Sequence, residues 1–206
     1  MFSWHPSKLS YNNSMKTVYI IHGWSGSPNE PLYKWLKENL EQQGRKVIAP
    51  EMPDADEPHI HSWVSKLKEI IEPNEGAILV GHSVGCQAIL RYLAELPEGQ
   101  NVGGVVFLAP WTNLIMKTIE EEGEESVAIA KEWIDSPLDF AEIKKHIQGK
   151  VIAIFSDDDP DVPLSEKDIF AEKLGAEVIV EHEKEHFTEE GGVTELSSLL
   201  KAVNEV

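Results

Sequence analysis

The stretch "AILVGHSVGCQAILRYLAE", residues 77–95, decides the fold class of this chain. An apolar, strand-like run ends in Gly81-His82-Ser83-Val84-Gly85, and a helical pattern begins at once. This pentapeptide matches G-x-S-x-G, in which a serine occupies a very tight turn between a strand and a helix. The glycines are expected where the chain approaches too closely for a side chain. We therefore predict a nucleophile elbow at Ser83, in preference to a serine that only caps the helix.

The same alternation of β-rich and helical segments continues along the chain. Strands are predicted at 17–21, 46–49, 77–80, 102–109, 150–155 and 177–180, and helices at 31–43, 59–71, 84–96, 165–174 and 194–203. This order predicts an α/β fold, a mainly parallel sheet covered by helices on both faces.

The domain organisation is expected to be simple. Residues 1–15 are interpreted as a flexible N-terminal extension and residues 16–206 as a single domain. The roughly 40 residues between two of the predicted strands exceed one crossover helix, which predicts a small helical insertion at about 111–148. Its acidic run is typical of a solvated face, and a lid over the site is the alternative.

Composition and charge exclude several classes of function. The chain carries 36 acidic and 18 basic residues, a net charge of −18, which would repel nucleic acid and anionic membranes. No apolar run is long enough to span a membrane. The single cysteine, Cys86, excludes an internal disulfide and fits a reducing cytoplasm, where we expect the protein to be located. Cys86 itself is expected to pack as a small apolar group.

A serine hydroxyl needs a base, and the position of each histidine selects a candidate. His186 lies in a loop beyond the last predicted strand, where a side chain can reach the end of the sheet. We favour it over His182, which ends that strand. His59 and His61 form an H-x-H beside acidic residues, but this set lacks a compelling metal-ligand spacing, and no metal is expected.

An acid that orients the base is expected where the fifth strand ends, in "FSDDDPDVP". Four aspartates are candidates, Asp157, Asp158, Asp159 and Asp161. The chain order of serine, aspartate and histidine is that of α/β hydrolases. The alternative is a purely structural role, in which these acids begin a loop and cap the next helix.

Two backbone N–H groups are expected to form an oxyanion hole. One belongs to Val84, the residue after the serine, and the other to Trp24 in the loop after the first strand. Three side chains are candidates for lining the pocket: Trp24, His22 in the same loop, and Trp111 after the fourth strand. Ordinary packing is the alternative for the tryptophans.

These motifs together resemble the α/β-hydrolase superfamily, and in particular its small serine hydrolase branch with retinoblastoma-binding protein nine and the YdeN proteins. The resemblance covers nearly all of residues 16–206 and rests on "VYIIHGWSGSP", "APEMPDADEPHIHSWV", "VGHSVGCQAILRY", "FSDDDPDVP" and "EHF". It implies a six-stranded parallel sheet of order 2-1-3-4-5-6. It also implies Asp158 as the acid, while the broader D-x-x-V-P pattern points to Asp159. Glu185 departs from the glycine that many relatives have before the histidine.

The resulting expectation is a carboxylesterase-like serine hydrolase with no cofactor. It would cleave an ester, thioester or amide of a small acyl substrate through Ser83, His186 and Asp158, with an acyl-enzyme intermediate. A protein-interaction module of the same fold with little turnover is the alternative. A protein partner or a homo-oligomer is left open by the sequence.

Overall fold

The computed structural model describes residues 16–206, so the predicted extension at 1–15 lies outside the described residues. Six strands form one sheet: β1 Thr17–Ile21, β2 Lys46–Ile48, β3 Ala77–His82, β4 Gly104–Leu108, β5 Val151–Ser156 and β6 Glu177–Glu181. All neighbouring pairs are parallel, and their order is β2-β1-β3-β4-β5-β6. The predicted fold class and strand order are confirmed.

Eight helices accompany the sheet in the described part of the chain. They are α1 Pro31–Gln42, α2 Ile60–Ile70, α3 Val84–Ala94, α4 Met116–Glu122, α5 Glu124–Ile134, α6 Phe140–Lys145, α7 Glu166–Leu174 and α8 Ser197–Glu205. Helix α1 packs on α8, while α2, α3, α6 and α7 pack on one another in succession. The sheet between these two groups completes a three-layer αβα sandwich.

Burial explains why the central strands and helix α3 are strongly apolar in the sequence. Strands β3, β4 and β5 are buried at every residue, which is typical of parallel strands covered on both faces. Helix α3 is buried from Val84 to Leu93, because it runs beneath the sheet and is itself covered by α2 and α6. The strand β6 lies at the sheet edge, and its residues are partly buried or exposed.

The fourth strand is shorter than predicted. It begins at Gly104, not at Val102, since Val102 forms an isolated bridge with Ile147 before the continuous ladder starts. The segment 111–148 contains α4, α5 and α6. Within residues 16–206, no helix combines the length and apolar character needed to cross a bilayer.

A buried arginine fastens this helical segment to α3. The guanidinium of Arg91 donates to the carbonyls of Trp133, at 2.7 Å, and Ser136, at 2.9 Å, and stacks over the Trp133 ring. Burial lowers the pKa of Arg91 to about 10. The Trp133 indole in turn donates to the carbonyl of Pro58, 2.8 Å away. These contacts hold α5 against the helix that begins at the site.

Candidate active site

Ser83 occupies the turn between β3 and α3 in a backbone conformation that side chains rarely adopt, with φ 52° and ψ −119°. A Cβ at Gly81 would lie 2.9 Å from the backbone nitrogen of Cys86, and one at Gly85 would lie 2.6 Å from the carbonyl oxygens of Ile21 and His22. Both glycines are therefore required by close approach of the chain, as the sequence predicted.

The loop after β1 lies directly against this turn. A Cβ placed on Gly23 would be 3.5 Å from the Cβ of Ser83. Within residues 16–206, the amide N–H groups of Trp24 and Val84 donate no hydrogen bond. Val84 is also the first residue of α3, where the helix leaves its N–H groups unpaired. Both N–H groups are thus unpaired, one in the loop that lies against the turn and one directly after the serine.

The loop after β2 supports this arrangement. Met52 N–H donates to Nε2 of His22 at 3.0 Å, so the neutral ring donates from Nδ1 to the carbonyl of Gly23 at 2.8 Å. The pKa of His22 is lowered by burial, which keeps the ring neutral. Ser25 N–H donates to the carbonyl of Ala55 at 2.8 Å. His22 was expected to line the pocket, but it is not among the residues that line the cleft, and its ring instead links the loops after β1 and β2.

The acid beside His186 is Asp159. Nδ1 of His186 lies 3.0 and 2.9 Å from the two carboxylate oxygens of Asp159, whose side chain is only 2% exposed. The same carboxylate accepts the backbone N–H groups of Asp161 and Val162, each at 2.9 Å. These bonds fix both the aspartate and the ring, and they leave Nε2 of His186 as the nitrogen without an acid partner.

Asp158, which the resemblance implied as the acid, has a different position. Its Oδ1 accepts from the Ser156 hydroxyl at 2.6 Å and from the backbone N–H groups of Lys184, at 3.1 Å, and Glu185, at 2.9 Å. The expectation that Asp158 orients the imidazole is therefore corrected to Asp159. Asp158 instead ties the end of β5 to the loop that carries the histidine.

Two opposing influences act on His186. Burial works to lower its pKa, but the hydrogen bond and charge of Asp159, with the nearby charge of Asp161, outweigh it, and the pKa is raised above its ordinary value. The Asp161 carboxylate lies 3.9 Å from Nδ1. An imidazolium formed at this position would be stabilised by both carboxylates.

His82 is a member of the site that the sequence analysis did not single out. Burial, with a smaller contribution from the nearby His186, lowers its pKa to about 3, so the ring is neutral. Its Nε2 lies 2.9 Å from the carbonyl of His186 and its Nδ1 lies 2.7 Å from the hydroxyl of Tyr33. A carbonyl can only accept, so Nε2 carries the proton and Nδ1 accepts from Tyr33. His82 thus connects the turn of Ser83 to the backbone of His186.

Ser83 and His186 open onto one cleft of about 460 Å³. Trp24 and Trp111 line it, and Leu114 with two residues of α4, Ile119 and Glu122, forms another part of its wall. Nε1–H of the Trp24 indole donates to the carbonyl of Asp56, 2.9 Å away. Loop 188–190 closes the side next to the histidine.

The other histidines do not assemble into a metal centre in the described part of the chain. His59 instead pairs with Glu132, with Nδ1 and Oε2 2.7 Å apart. His182 is exposed and pairs with Asp157 at 2.6 Å. Across residues 16–206, the one group of three or more ligand-type side chains close enough to share a cation is Asp159, Asp161 and His186.

A serine in a strained strand-to-helix turn, at the carboxyl edge of a parallel sheet of order 2-1-3-4-5-6, defines an α/β hydrolase. The family model described as "Serine hydrolase" matches residues 18–205. The chain therefore belongs to the serine hydrolase family.

Comparisons with individual proteins agree with this assignment. The chain is 28% identical to YdeN of Bacillus subtilis (strain 168) over 182 residues, 88% of this chain and 90% of YdeN. It is 26% identical to the serine hydrolase RBBP9 of Rattus norvegicus over 183 residues, 88% of this chain and 85% of that protein. The crystal structure of the B. subtilis ydeN gene product superposes with a TM-score of 0.81 at 26% identity, covering 92% of this chain and 97% of that one. A carboxylesterase structure from the thaumarchaeon Nitrososphaera gargenis shares the fold, with a TM-score of 0.64 at 15% identity and 85% coverage of each chain.

Proposed function

We propose that the protein is a carboxylesterase-like hydrolase that cleaves an ester, thioester or amide of a small acyl substrate through a triad of Ser83, His186 and Asp159. The observation that carries the proposal is the cleft shared by Ser83 and His186, whose Nδ1 lies 2.9 Å from Oδ2 of Asp159. Membership of the serine hydrolase family supports the same reaction class.

The proposed acylation step follows from the hydrogen bonds of the imidazole. Nδ1–H of His186 donates to Asp159, which leaves Nε2 to take the proton of the Ser83 hydroxyl as its oxygen attacks the acyl carbon. The negative charge that develops on the carbonyl oxygen is stabilised by the unpaired N–H groups of Val84 and Trp24. The imidazolium then gives its proton to the leaving group, and an acyl-serine remains.

Deacylation repeats these roles with water as the nucleophile. Neutral His186 takes a proton from the water, the second tetrahedral intermediate occupies the same pair of N–H donors, and collapse returns the proton to Ser83. The Asp159 carboxylate stabilises the imidazolium in both steps. No cofactor is required by this sequence of steps.

A fluorophosphonate probe tests the nucleophile directly. The probe should label the folded wild-type protein and its Ser65→Ala variant, which changes an exposed serine on α2, but not Ser83→Ala. Hydrolysis of p-nitrophenyl acetate should fall by about 10⁶-fold in Ser83→Ala only. Folded wild-type protein that takes no label, or equal labelling of Ser83→Ala, would refute the proposal. If the folded protein hydrolyses no substrate but still binds a protein partner, the alternative of a protein-interaction module is favoured.

A further inference from the structure

The cleft beside Ser83 has a strongly one-sided charge. Five of its lining residues are carboxylic acids, Glu30, Glu122, Asp161, Glu189 and Glu190. No lysine or arginine belongs to the lining in the described part of the chain, and burial lowers the pKa of the lining residue His82 to about 3, so His186 is the lining group that can carry a positive charge near neutral pH. The proposed hydrolysis uses His186 as a neutral base, and in that state the carboxylates have no positive counterpart within the cleft.

Three of these carboxylates are exposed and Glu30 accepts the N–H of Ser27 at 2.9 Å, so among the described residues Asp161 is the partly buried carboxylate of the lining without a hydrogen-bond donor. Its side chain is 24% exposed, and within residues 16–206 it accepts no hydrogen bond; its nearest charged neighbour is Nδ1 of His186 at 3.9 Å. That nitrogen already donates to Asp159. Burial raises the pKa of Asp161, and this effect exceeds the opposite effect of the nearby His186. The backbone of Asp161 is fixed, because its carbonyl accepts from Ile115 N–H at 2.7 Å.

The indole of Trp111 adds a second, independent feature. Trp111 lines the cleft, its side chain is 1% exposed, and its Nε1–H has no hydrogen-bond partner among the described residues. Buried indole N–H groups in folded proteins are usually paired. The wall of the cleft thus contains one buried N–H donor without a partner among the described residues.

We propose that the cleft selects substrates that carry a protonated amine close to the scissile carbonyl, with Asp161 as the principal partner of the ammonium group. This specificity rests on the proposed hydrolase function. Asp161 lies on the Nδ1 side of the imidazole whose Nε2 serves Ser83, so the ammonium group binds within one imidazole ring of the reacting atoms. The remaining carboxylates attract cationic substrates to the cleft and disfavour anionic ones.

Three ethyl esters of matched size test the specificity. Ethyl 3-aminopropanoate is cationic, ethyl butanoate is its neutral analogue of the same length, and monoethyl succinate is anionic; hydrolysis is followed by titration of the released acid at about pH 7, where the amine is protonated. We expect kcat/KM for the cationic ester to exceed that for the neutral ester by about tenfold, and the anionic ester to be the poorest of the three. Added salt should reduce the ratio of cationic to neutral kcat/KM.

The ratio, rather than the absolute rate, reports on Asp161, because Asp161 also acts on His186. Asp161→Asn preserves the size of the side chain and should bring the ratio of cationic to neutral kcat/KM close to one. Asp168→Asn is the matched control, since it removes the same charge from an exposed position on α7 and should leave the ratio unchanged.

Each outcome separates this inference from the function on which it rests. If kcat/KM is equal for the cationic and neutral esters in protein that a fluorophosphonate labels at Ser83, the proposed specificity is refuted and the proposed hydrolase function stands. A preference for the cationic ester that survives Asp161→Asn overturns the role of Asp161. A wild-type ratio that changes by more than about twofold on addition of EDTA overturns the proposal in favour of a metal ion held by Asp159, Asp161 and His186. If none of the three esters is hydrolysed and the fluorophosphonate does not label the protein, the proposed hydrolase function itself is refuted.

Discussion

Nδ1 of His186 lies 2.9 Å from Oδ2 of Asp159, while the adjacent Asp158 makes its hydrogen bonds to the backbone of the loop that carries this histidine. Consecutive aspartates therefore hold one histidine in two ways. Asp159 holds the ring and Asp158 holds the chain. Asp157 continues the pattern, since its carboxylate accepts the N–H of Glu183 at 3.1 Å.

Substitution of the two acids should separate these roles. Asp159→Asn removes the charge that stabilises the imidazolium and should lower kcat/KM by about 10⁴-fold while the protein stays folded. Asp158→Asn keeps an oxygen that can accept from the loop and should cause a much smaller loss of kcat/KM, together with a lower thermal midpoint. Ester kinetics and thermal unfolding of both variants check this prediction. A larger kinetic loss in Asp158→Asn than in Asp159→Asn would show that Asp158 is the acid after all.

The pH dependence of activity should follow the ionisation of His186. The base must be neutral, and its pKa lies above 6.5 because the two aspartates outweigh the effect of burial. We therefore expect kcat/KM to rise with pH through a value above 6.5. In Asp159→Asn the main favourable influence is lost and burial remains, so the midpoint of this rise should move to lower pH. A pH–rate profile of each protein on a neutral ester measures both midpoints, and a shift to higher pH would contradict the assignment.

Stability should respond to pH through His82. Its folded-state pKa is about 3 and its ordinary value is 6.5, so the unfolded chain binds the proton more readily between these limits. The free energy of unfolding should therefore fall as pH is lowered below 6.5, by about 2 kcal/mol from His82 alone on reaching about pH 5. The buried ring of His22 acts in the same direction.

A variant can isolate this contribution. His82→Gln offers an N–H donor for the carbonyl of His186 and an acceptor for the hydroxyl of Tyr33, but it does not titrate. Urea unfolding at a series of pH values should show a weaker dependence for His82→Gln than for the wild type. His61→Gln, which replaces an exposed histidine, should retain the full dependence. Identical slopes for wild type and His82→Gln would rule out His82 as the source.

The fold could be predicted from the sequence because its signals are local and repeated. Buried parallel strands are continuous apolar runs, and the elbow of Ser83 combines a strand, a helix start and two glycines within nine residues. The strand order itself came from the resemblance to a family, since periodicity along the chain does not specify which strands are neighbours.

The choice of acid could not be predicted with the same certainty. Asp157, Asp158 and Asp159 are consecutive and chemically identical, and all of them directly follow the end of β5 in the sequence. What separates them is the direction of each side chain in one turn, which is decided by contacts with residues 182–186 of a distant loop. The pairing of His82 with the carbonyl of His186 spans 104 positions and has no local signature.

The histidine loop carries backbone strain that a substitution should relieve. Glu183, Glu185 and Phe187 all have positive φ, and Glu185 has a φ of 45° at the position where the resemblance led us to expect glycine. Glycine adopts this region without the penalty that a Cβ imposes. We expect Glu185→Gly to raise the free energy of unfolding by up to about 1 kcal/mol, since the gain exceeds the extra freedom of the unfolded chain.

The neighbouring position supplies the control for this last prediction. Lys184 also donates its backbone N–H to Asp158, but its φ is not positive, so Lys184→Gly gains no relief and only increases the freedom of the unfolded chain. Lys184→Gly should therefore lower the free energy of unfolding by about 1 kcal/mol. Urea denaturation of the two variants beside the wild type should give changes of opposite sign. If both variants are destabilised to the same extent, the side chain of Glu185 contributes more than its backbone conformation costs.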